Sequence, residues 1–119
     1  MKSEIIYTTY RLQKSEFLKI FQIPGVSFNE NLKETIVGKD IICTDSIPSN
    51  MIDDFKEYQI SKELMSLANE NSVLNPCPPF YGGEEITEDA IDSDFFVGYE
   101  FKKDLLKVQQ AILIYCLST

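Results

Sequence analysis

The residue types best suited to chemistry fall in one stretch, Leu74-Asn75-Pro76-Cys77-Pro78-Pro79-Phe80-Tyr81-Gly82-Gly83-Glu84-Glu85-Ile86. It carries a thiol, Cys77, and two adjacent carboxylates, Glu84 and Glu85. A thiol attacks only as its thiolate, which needs a base or a cation beside it. No base stands near Cys77 in sequence, and the chain has no histidine. Nucleophilic catalysis by Cys77 is therefore not expected. Without histidine or a paired-cysteine spacing a zinc site is not expected either, and no cofactor is implied. Binding remains. Pro76, Pro78 and Pro79 fix φ and donate no backbone hydrogen bond, so the loop is stiff. In open α/β sheets the loops at the C-terminal ends of strands are where ligands bind. A rigid strand-to-helix turn would have the same composition, and composition does not separate the two.

The elements that must position this loop alternate. Residues 4–10 read as a strand and residues 12–23 as a helix with Phe17, Leu18, Ile20 and Phe21 at helical spacing, ended by Pro24-Gly25. Val26-Ser27-Phe28 is a brief strand, then a short helix spans residues 30–37 with Asn29 as its cap and Gly38 closing it. Ile41-Ile42-Cys43 is a continuous apolar run, as in a parallel strand covered on both faces. Residues 44–50 form a loop, and residues 51–58 a loop or short helix. Ser61 caps a helix through Ala68. Ser72-Val73-Leu74 is the strand that enters the proline loop. Thr87 caps a further helix whose first turn is acidic. Residues 95–97 form a last strand, and residues 99–117 the longest helix. Strands alternating with helices imply right-handed βαβ crossovers. The expected fold is three-layer α/β: a mostly parallel, Rossmann-like sheet of four or five strands, with Ile41–Cys43 and Val73–Leu74 adjacent and central.

Four motifs in order resemble a known family, the ornithine and aspartate carbamoyltransferases. Val37-Gly38-Lys39-Asp40-Ile41-Ile42-Cys43-Thr44-Asp45 is similar to that family's Lys-Gly-Ala-Asp-Val-Val-Tyr-Thr-Asp strand. Tyr58-Gln59-Ile60-Ser61-Lys62-Glu63-Leu64-Met65 resembles its Tyr-Gln-Val-Asn-x-Glu-Leu-Met helix entry. Pro78 with Phe80 and Gly83-Glu84-Glu85-Ile86 resembles His-Cys-Leu-Pro … Arg-Gly-Glu-Glu-Val, and Gln109-Gln110-Ala111-Ile112-Leu113 resembles the closing Gln-Lys-Ala-Val-Leu helix. The resemblance covers residues 26–119 of a single domain, 1–119, and leaves residues 1–25 unmatched. It implies the doubly wound, amino-acid-binding C-terminal domain. In that domain an Asp-x-x-x-Ser-Met-Gly loop holds the substrate, its Asp on the α-amino group. Asp45 and Ser49 reproduce the spacing, while Asn50 and Met51 stand where Met-Gly should follow. A carboxylate suits an ammonium because charge-assisted hydrogen bonds are the stronger ones. An Asp-Ser turn after a strand is the competing reading.

With Pro78 on the family's Pro, Asn75 takes the His position, Pro76 the Cys position and Cys77 the Leu position. The family's cis Leu-Pro makes Cys77–Pro78 a candidate cis bond. The substrate-binding candidates are thus Asp45, Ser49, Asn50, Met51, Asn75, Cys77 and Pro78, with the two loops expected side by side as the one ligand cleft. Gly82 stands where many relatives carry an Arg for carbamoyl phosphate. The family's phosphate-binding motifs, Ser-Thr-Arg-Thr-Arg and His-Pro-x-Gln, are absent, and Arg11 is the single arginine. Phosphoryl chemistry needs several fixed cations, so transcarbamylation by this chain alone is not expected.

Composition narrows the partners. The 119 residues carry a formal net charge of −8, with six acids between positions 84 and 94. Nucleic acid and acidic membrane surfaces both require a basic footprint and are not expected. Three cysteines cannot all pair, which points to reduced thiols in the cytoplasm. Three functions stay open: a transferase component that needs a separate carbamoyl-phosphate-binding chain, a stand-alone binder of a small amino acid or diamine, and a non-catalytic interaction or regulatory scaffold, a truncated paralogue. Phe101, Leu105, Val108, Ile112 and Tyr115 make one apolar stripe of the closing helix, and Leu106, Leu113 and Leu117 a second. In the family this helix packs on the phosphate-binding domain. Its apolar surface predicts a homodimer here, the competing reading being that the N-terminal segment with Phe17, Ile20 and Phe21 folds over it within a monomer.

Overall fold

Asn31, not Asn29, begins the first described helix of the computed structural model, which describes residues 5–7 and 22–118, without the side chains of residues 5–7 and Phe101. Asn31 accepts a hydrogen bond from the Glu34 N–H at 3.2 Å and caps α1, Leu32–Ile36. Asn29 instead accepts from the Asn31 N–H at 2.8 Å, and both asparagine amides donate to the Glu34 carboxylate. Two adjacent candidate caps thus divide the work, and the helix is shorter than the sequence suggests. Gly38 follows at φ +70, a conformation a Cβ would strain.

Four strands are described: β1, Ile5–Tyr7; β2, Val26–Phe28; β3, Ile41–Thr44; and β4, Val73–Pro76. They form two parallel two-stranded ladders, β1 with β2 and β3 with β4. The single sheet of four or five strands is therefore corrected among the described residues, while its parallel sense holds. Ile41–Cys43 and Val73–Leu74 are adjacent, as expected, with Ile42 opposite Leu74 and Cys43 opposite Asn75. The expected strand at 95–97 shrinks to one bridge, Phe96 to Leu74. The Phe96 N–H bonds back to the Ser93 carbonyl at 3.1 Å, and a helix starts at Gly98, so no room is left to extend the ladder. The expected helix at 12–23 lies, but for its last two residues, outside those described.

Between β3 and β4 come two 3-10 segments, Ser49–Met51 and Asp53–Tyr58, and α2, Lys62–Met65. Ser61 caps α2 as expected, its hydroxyl accepting from the Leu64 N–H at 3.1 Å. After β4 come α3, Glu88–Ile91, α4, Gly98–Lys103, and α5, Leu105–Ser118. The long closing helix is thus two helices broken at Asp104. Thr87 precedes α3 but does not cap it with its side chain; its hydroxyl turns to the Ile60 carbonyl at 3.3 Å and to Asp89.

The core is Ile36, Ile42, Ile60, Leu64, Met65, Leu74, Ile86 and Ala90. Ile42 and Leu74 point into it from the same face of the β3–β4 ladder. Asn75 points to the other face, where Lys102 of α4 meets it at 2.9 Å. Ile41, on that second face, remains 64% exposed. Among the described residues the second face is covered over β4, where α4 lies, and left open at Ile41 of β3. Among the described residues no helix is long and apolar enough to cross a membrane.

Candidate functional site

Asp45 and the proline loop meet at the C-terminal edge of the β3–β4 ladder, because β3 and β4 run parallel and in register. Thr44 is opposite Pro76, so each strand releases its loop at the same level. The Cys77 N–H donates to the Thr44 carbonyl at 3.0 Å, continuing the ladder by one bond. The Ser46 hydroxyl donates to the Pro79 carbonyl at 3.1 Å. The side-by-side placement of the two loops is therefore as the sequence suggested.

Within the first loop the Asp45 carboxylate accepts from the N–H of the next residue, Ser46, at 2.9 Å. Asp45, Ser49 and Asn50 are exposed and Met51 is half-buried. Met51 closes its 3-10 turn by donating its N–H to the Pro48 carbonyl at 2.8 Å. In the second loop Cys77 and Pro78 are exposed, and the Cys77 thiol lies 3.9 Å from the Pro78 carbonyl. The cis bond is Pro78–Pro79, one residue beyond the expected Cys77–Pro78. Both are X-Pro bonds of similar small cis cost, so adjacent prolines could not be told apart by sequence. Asn75 is half-buried, its amide oxygen accepting from Lys102 at 2.9 Å and its nitrogen facing the Cys43 sulfur at 4.0 Å. Phe80 fixes the far end of the loop, edge-on to Phe96 at 5.4 Å and beside Tyr99 at 5.0 Å.

The turn after the proline loop is braced from Tyr58-Gln59-Ile60. The Gln59 amide donates to the Glu84 carbonyl at 2.9 Å, and the Ile60 N–H to the Glu85 carbonyl at 3.0 Å. Glu85 is 3% exposed. One carboxyl oxygen accepts from the Tyr81 N–H at 3.3 Å, and the other has no hydrogen-bond partner. Burial raises its pKa above the ordinary 4.5, and the negative charges of Glu84 and Asp45 add to the rise. Asp45 and Glu85 thus share one electrostatic environment, one open to water and one closed from it.

Ser46, Gln59 and Lys102 were not among the candidate residues. Ser46 adjoins Asp45 and Gln59 lies in a quoted motif, so both were within reach. Lys102 had no signal, because only the fold brings α4 to Asn75. Two open hollows lie elsewhere, ≈ 500 Å³ along Phe96–Glu100 and ≈ 430 Å³ between Glu30–Lys33 and Glu57–Tyr58. Neither hollow is lined by the Asp45 loop or the proline loop, so the expected ligand cleft at the loop edge is not where these two concavities fall. Among the described residues no group of three or more acids or thiols is placed to hold a metal ion.

A profile of the family described as aspartate/ornithine carbamoyltransferase, Asp/Orn binding domain, matches residues 10–116. The chain belongs to this family. It is similar to the ornithine carbamoyltransferase of Caldicellulosiruptor saccharolyticus, 32% identical over 96 residues, which cover 74% of this chain and 31% of that protein. Against the ornithine carbamoyltransferase of Methanopyrus kandleri it is 36% identical over 90 residues, 68% of this chain and 28% of the relative. Its fold is similar to the crystal structure of ornithine carbamoyltransferase from Burkholderia thailandensis E264, with a TM-score of 0.79 at 25% identity over 92% of this chain and 37% of that one. The chain thus spans about a third of the length of the curated carbamoyltransferases it matches.

Proposed function

We propose that this carbamoyltransferase-type domain binds a small amino acid or diamine at the Asp45–Pro79 edge and does not transfer a carbamoyl group by itself. The observation that carries the reading is the junction of the two loops: Ser46 to Pro79 at 3.1 Å and Cys77 to Thr44 at 3.0 Å, with the Asp45 carboxylate exposed beside them. Asp45 supplies the charge an ammonium needs. Ser49, Asn50 and Met51 border it on one loop, and Asn75, Cys77 and Pro78 on the other. Glycine at 82 gives no cation, and a carbamoyl-phosphate half would have to come from elsewhere, from a separate chain or from sequence outside these 119 residues. The domain works in the cytoplasm, where Cys43, Cys77 and Cys116 stay reduced.

A thermal-shift series with ornithine, aspartate and putrescine tests the binding. A ligand at 100 times its Kd stabilises the folded state by about 2.7 kcal/mol, and Asp45→Asn should abolish the shift. Carbamoyl phosphate with each acceptor should give no carbamoylated product above a heat-inactivated control. A second reading, a non-catalytic interaction scaffold, is favoured by the exposure of Asp45, Ser49, Asn50, Cys77 and Pro78. Failure of all three ligands to shift the midpoint selects it.

A further inference from the structure

Lys102 reaches the β3–β4 ladder from α4. Its ammonium donates to the Asn75 amide oxygen at 2.9 Å, and the side chain is half-buried there. The next lysines along, Lys103 and Lys107, stay at the surface and pair with Glu100 and Asp104. Ring contacts fix α4 in this place. Phe80 meets Tyr99 at 5.0 Å and Phe96 at 5.4 Å, which ties the start of the helix to the proline loop. Lys102 thus stands beside the loop that carries Cys77 and Pro78.

Register sets how far this cation is from Asp45. Asn75 pairs with Cys43 on the second face of the ladder, while Ile42 and Leu74 face the core. The pleat alternates, so the next pair on the face of Asn75 is Cys77 with Asp45, one step past Pro76 and Thr44. Exposure follows the same alternation: Pro76 is buried, and Cys77 and Asp45 are exposed. Rise and strand spacing put Asp45 roughly 8 Å from Asn75. A hydrogen bond between ionised groups takes about 2.7–2.9 Å. An ammonium on Asp45 and a carboxylate on Lys102, both carried by one α-carbon, fit a gap of that size. A diamine does not fit it in charge, because its second ammonium would meet Lys102. Glu85, whose carboxyl feels the charge of Asp45, is 3% exposed and offers that ammonium no open partner.

We propose that Lys102 takes the ligand's carboxylate at this edge, so that the site selects an α-amino acid over the amine that lacks the carboxyl group. The inference rests on the proposed binding at Asp45 and names the side chain that decides between its two ligand classes. An ammonium has three donors, so a bond to Asn75 and a bond to a carboxylate are compatible on one Nζ. Asn75, a neutral amide, positions the ammonium without neutralising it.

Ornithine and putrescine differ by the carboxyl group alone, so the pair isolates it. Isothermal titration of the whole chain should give a Kd for ornithine at least about tenfold below that for putrescine, the order expected of a charged hydrogen bond. Lys102→Gln should remove that preference by weakening ornithine and not putrescine, while Lys102→Arg should retain it. A merely structural tie to Asn75 would weaken both ligands alike. Urea unfolding reports whether each variant keeps its fold. Ornithine amide makes the same test on the unaltered chain: with the ligand's negative charge gone, affinity should fall by the same factor. Equal affinity for ornithine and putrescine, or a preference that survives Lys102→Gln, overturns this proposal and leaves binding at Asp45 standing. Binding of none of ornithine, putrescine and aspartate overturns both.

Discussion

The Ser46 hydroxyl donates to the Pro79 carbonyl across 33 positions of sequence, and it is a side-chain tie between the Asp45 loop and the proline loop. The pair is exposed and neutral, so its net worth is about 0.5–1.5 kcal/mol. Ser46→Ala should lower the urea-unfolding free energy by no more than that and leave the m-value unchanged. If ornithine or putrescine shifts the thermal midpoint, Ser46→Ala should reduce the shift by more than its effect on stability, because the loops are no longer held together. Equal losses in the two measurements would mean the tie is structural alone.

Glu85 gives a pH dependence of defined sign. Its carboxyl is raised above 4.5, first by burial and then by Glu84 and Asp45, against the lowering pull of the Tyr81 N–H and its own. The folded state therefore holds the proton more tightly than the unfolded chain. The stability linked to this group is complete below the ordinary carboxylate value and is lost as pH rises through the folded one. Glu85→Gln keeps a neutral side chain at every pH. Its stability relative to the parent should rise with pH across that window, read from urea titrations at several pH values. A difference that stays flat or falls would count against the buried acid.

Leu74 occupies the middle of the fold, fully buried between Ile42 on one side and the bridge to Phe96 on the other. Its N–H and carbonyl bond across to Phe95 and Val97 at 2.7 and 3.1 Å. Leu74→Ala leaves a cavity where nothing can collapse freely and should cost about 2–5 kcal/mol. Against a total of about 5–15 kcal/mol for a domain, that is a large fraction. Circular dichroism melts should show a much lower midpoint, or no cooperative transition.

Ser61→Ala removes the acceptor for the Leu64 N–H and should destabilise by about 1 kcal/mol, while Ser61→Asp retains most of the stability. Thermal midpoints of the two variants separate a capping role from a packing one.

How much of this was legible depends on whether the signal was local. The Ser61 cap, Gly38 and the apolar run at Ile41–Cys43 are local, and all three fell where the sequence put them. The pairing of β3 with β4 was legible because both strands are apolar and both end in turn-rich loops. Choices between like neighbours were not legible. Asn29 against Asn31, and Pro78 against Pro79, differ by one position and by little energy. The strand expected at Phe95-Phe96-Val97 failed because backbone bonds from Ser93 and the helix start at Gly98 confine it from both ends. Lys102 on Asn75 was out of reach altogether, since 27 positions separate them and a lysine carries no address.

The register that joins Cys43 to Asn75 pairs residues 32 positions apart. A parallel ladder of this kind cannot be nucleated by a hairpin, so the whole intervening chain must close as a loop before the first of its bonds forms. Contacts of such long sequence range slow folding. The edge that carries Asp45 and Cys77 therefore exists only once this closure cost has been met, as does the part of the core around Leu74. Until the ladder closes there is no site, so a ligand bound at this edge would hold only the folded chain and act as a brake on its unfolding.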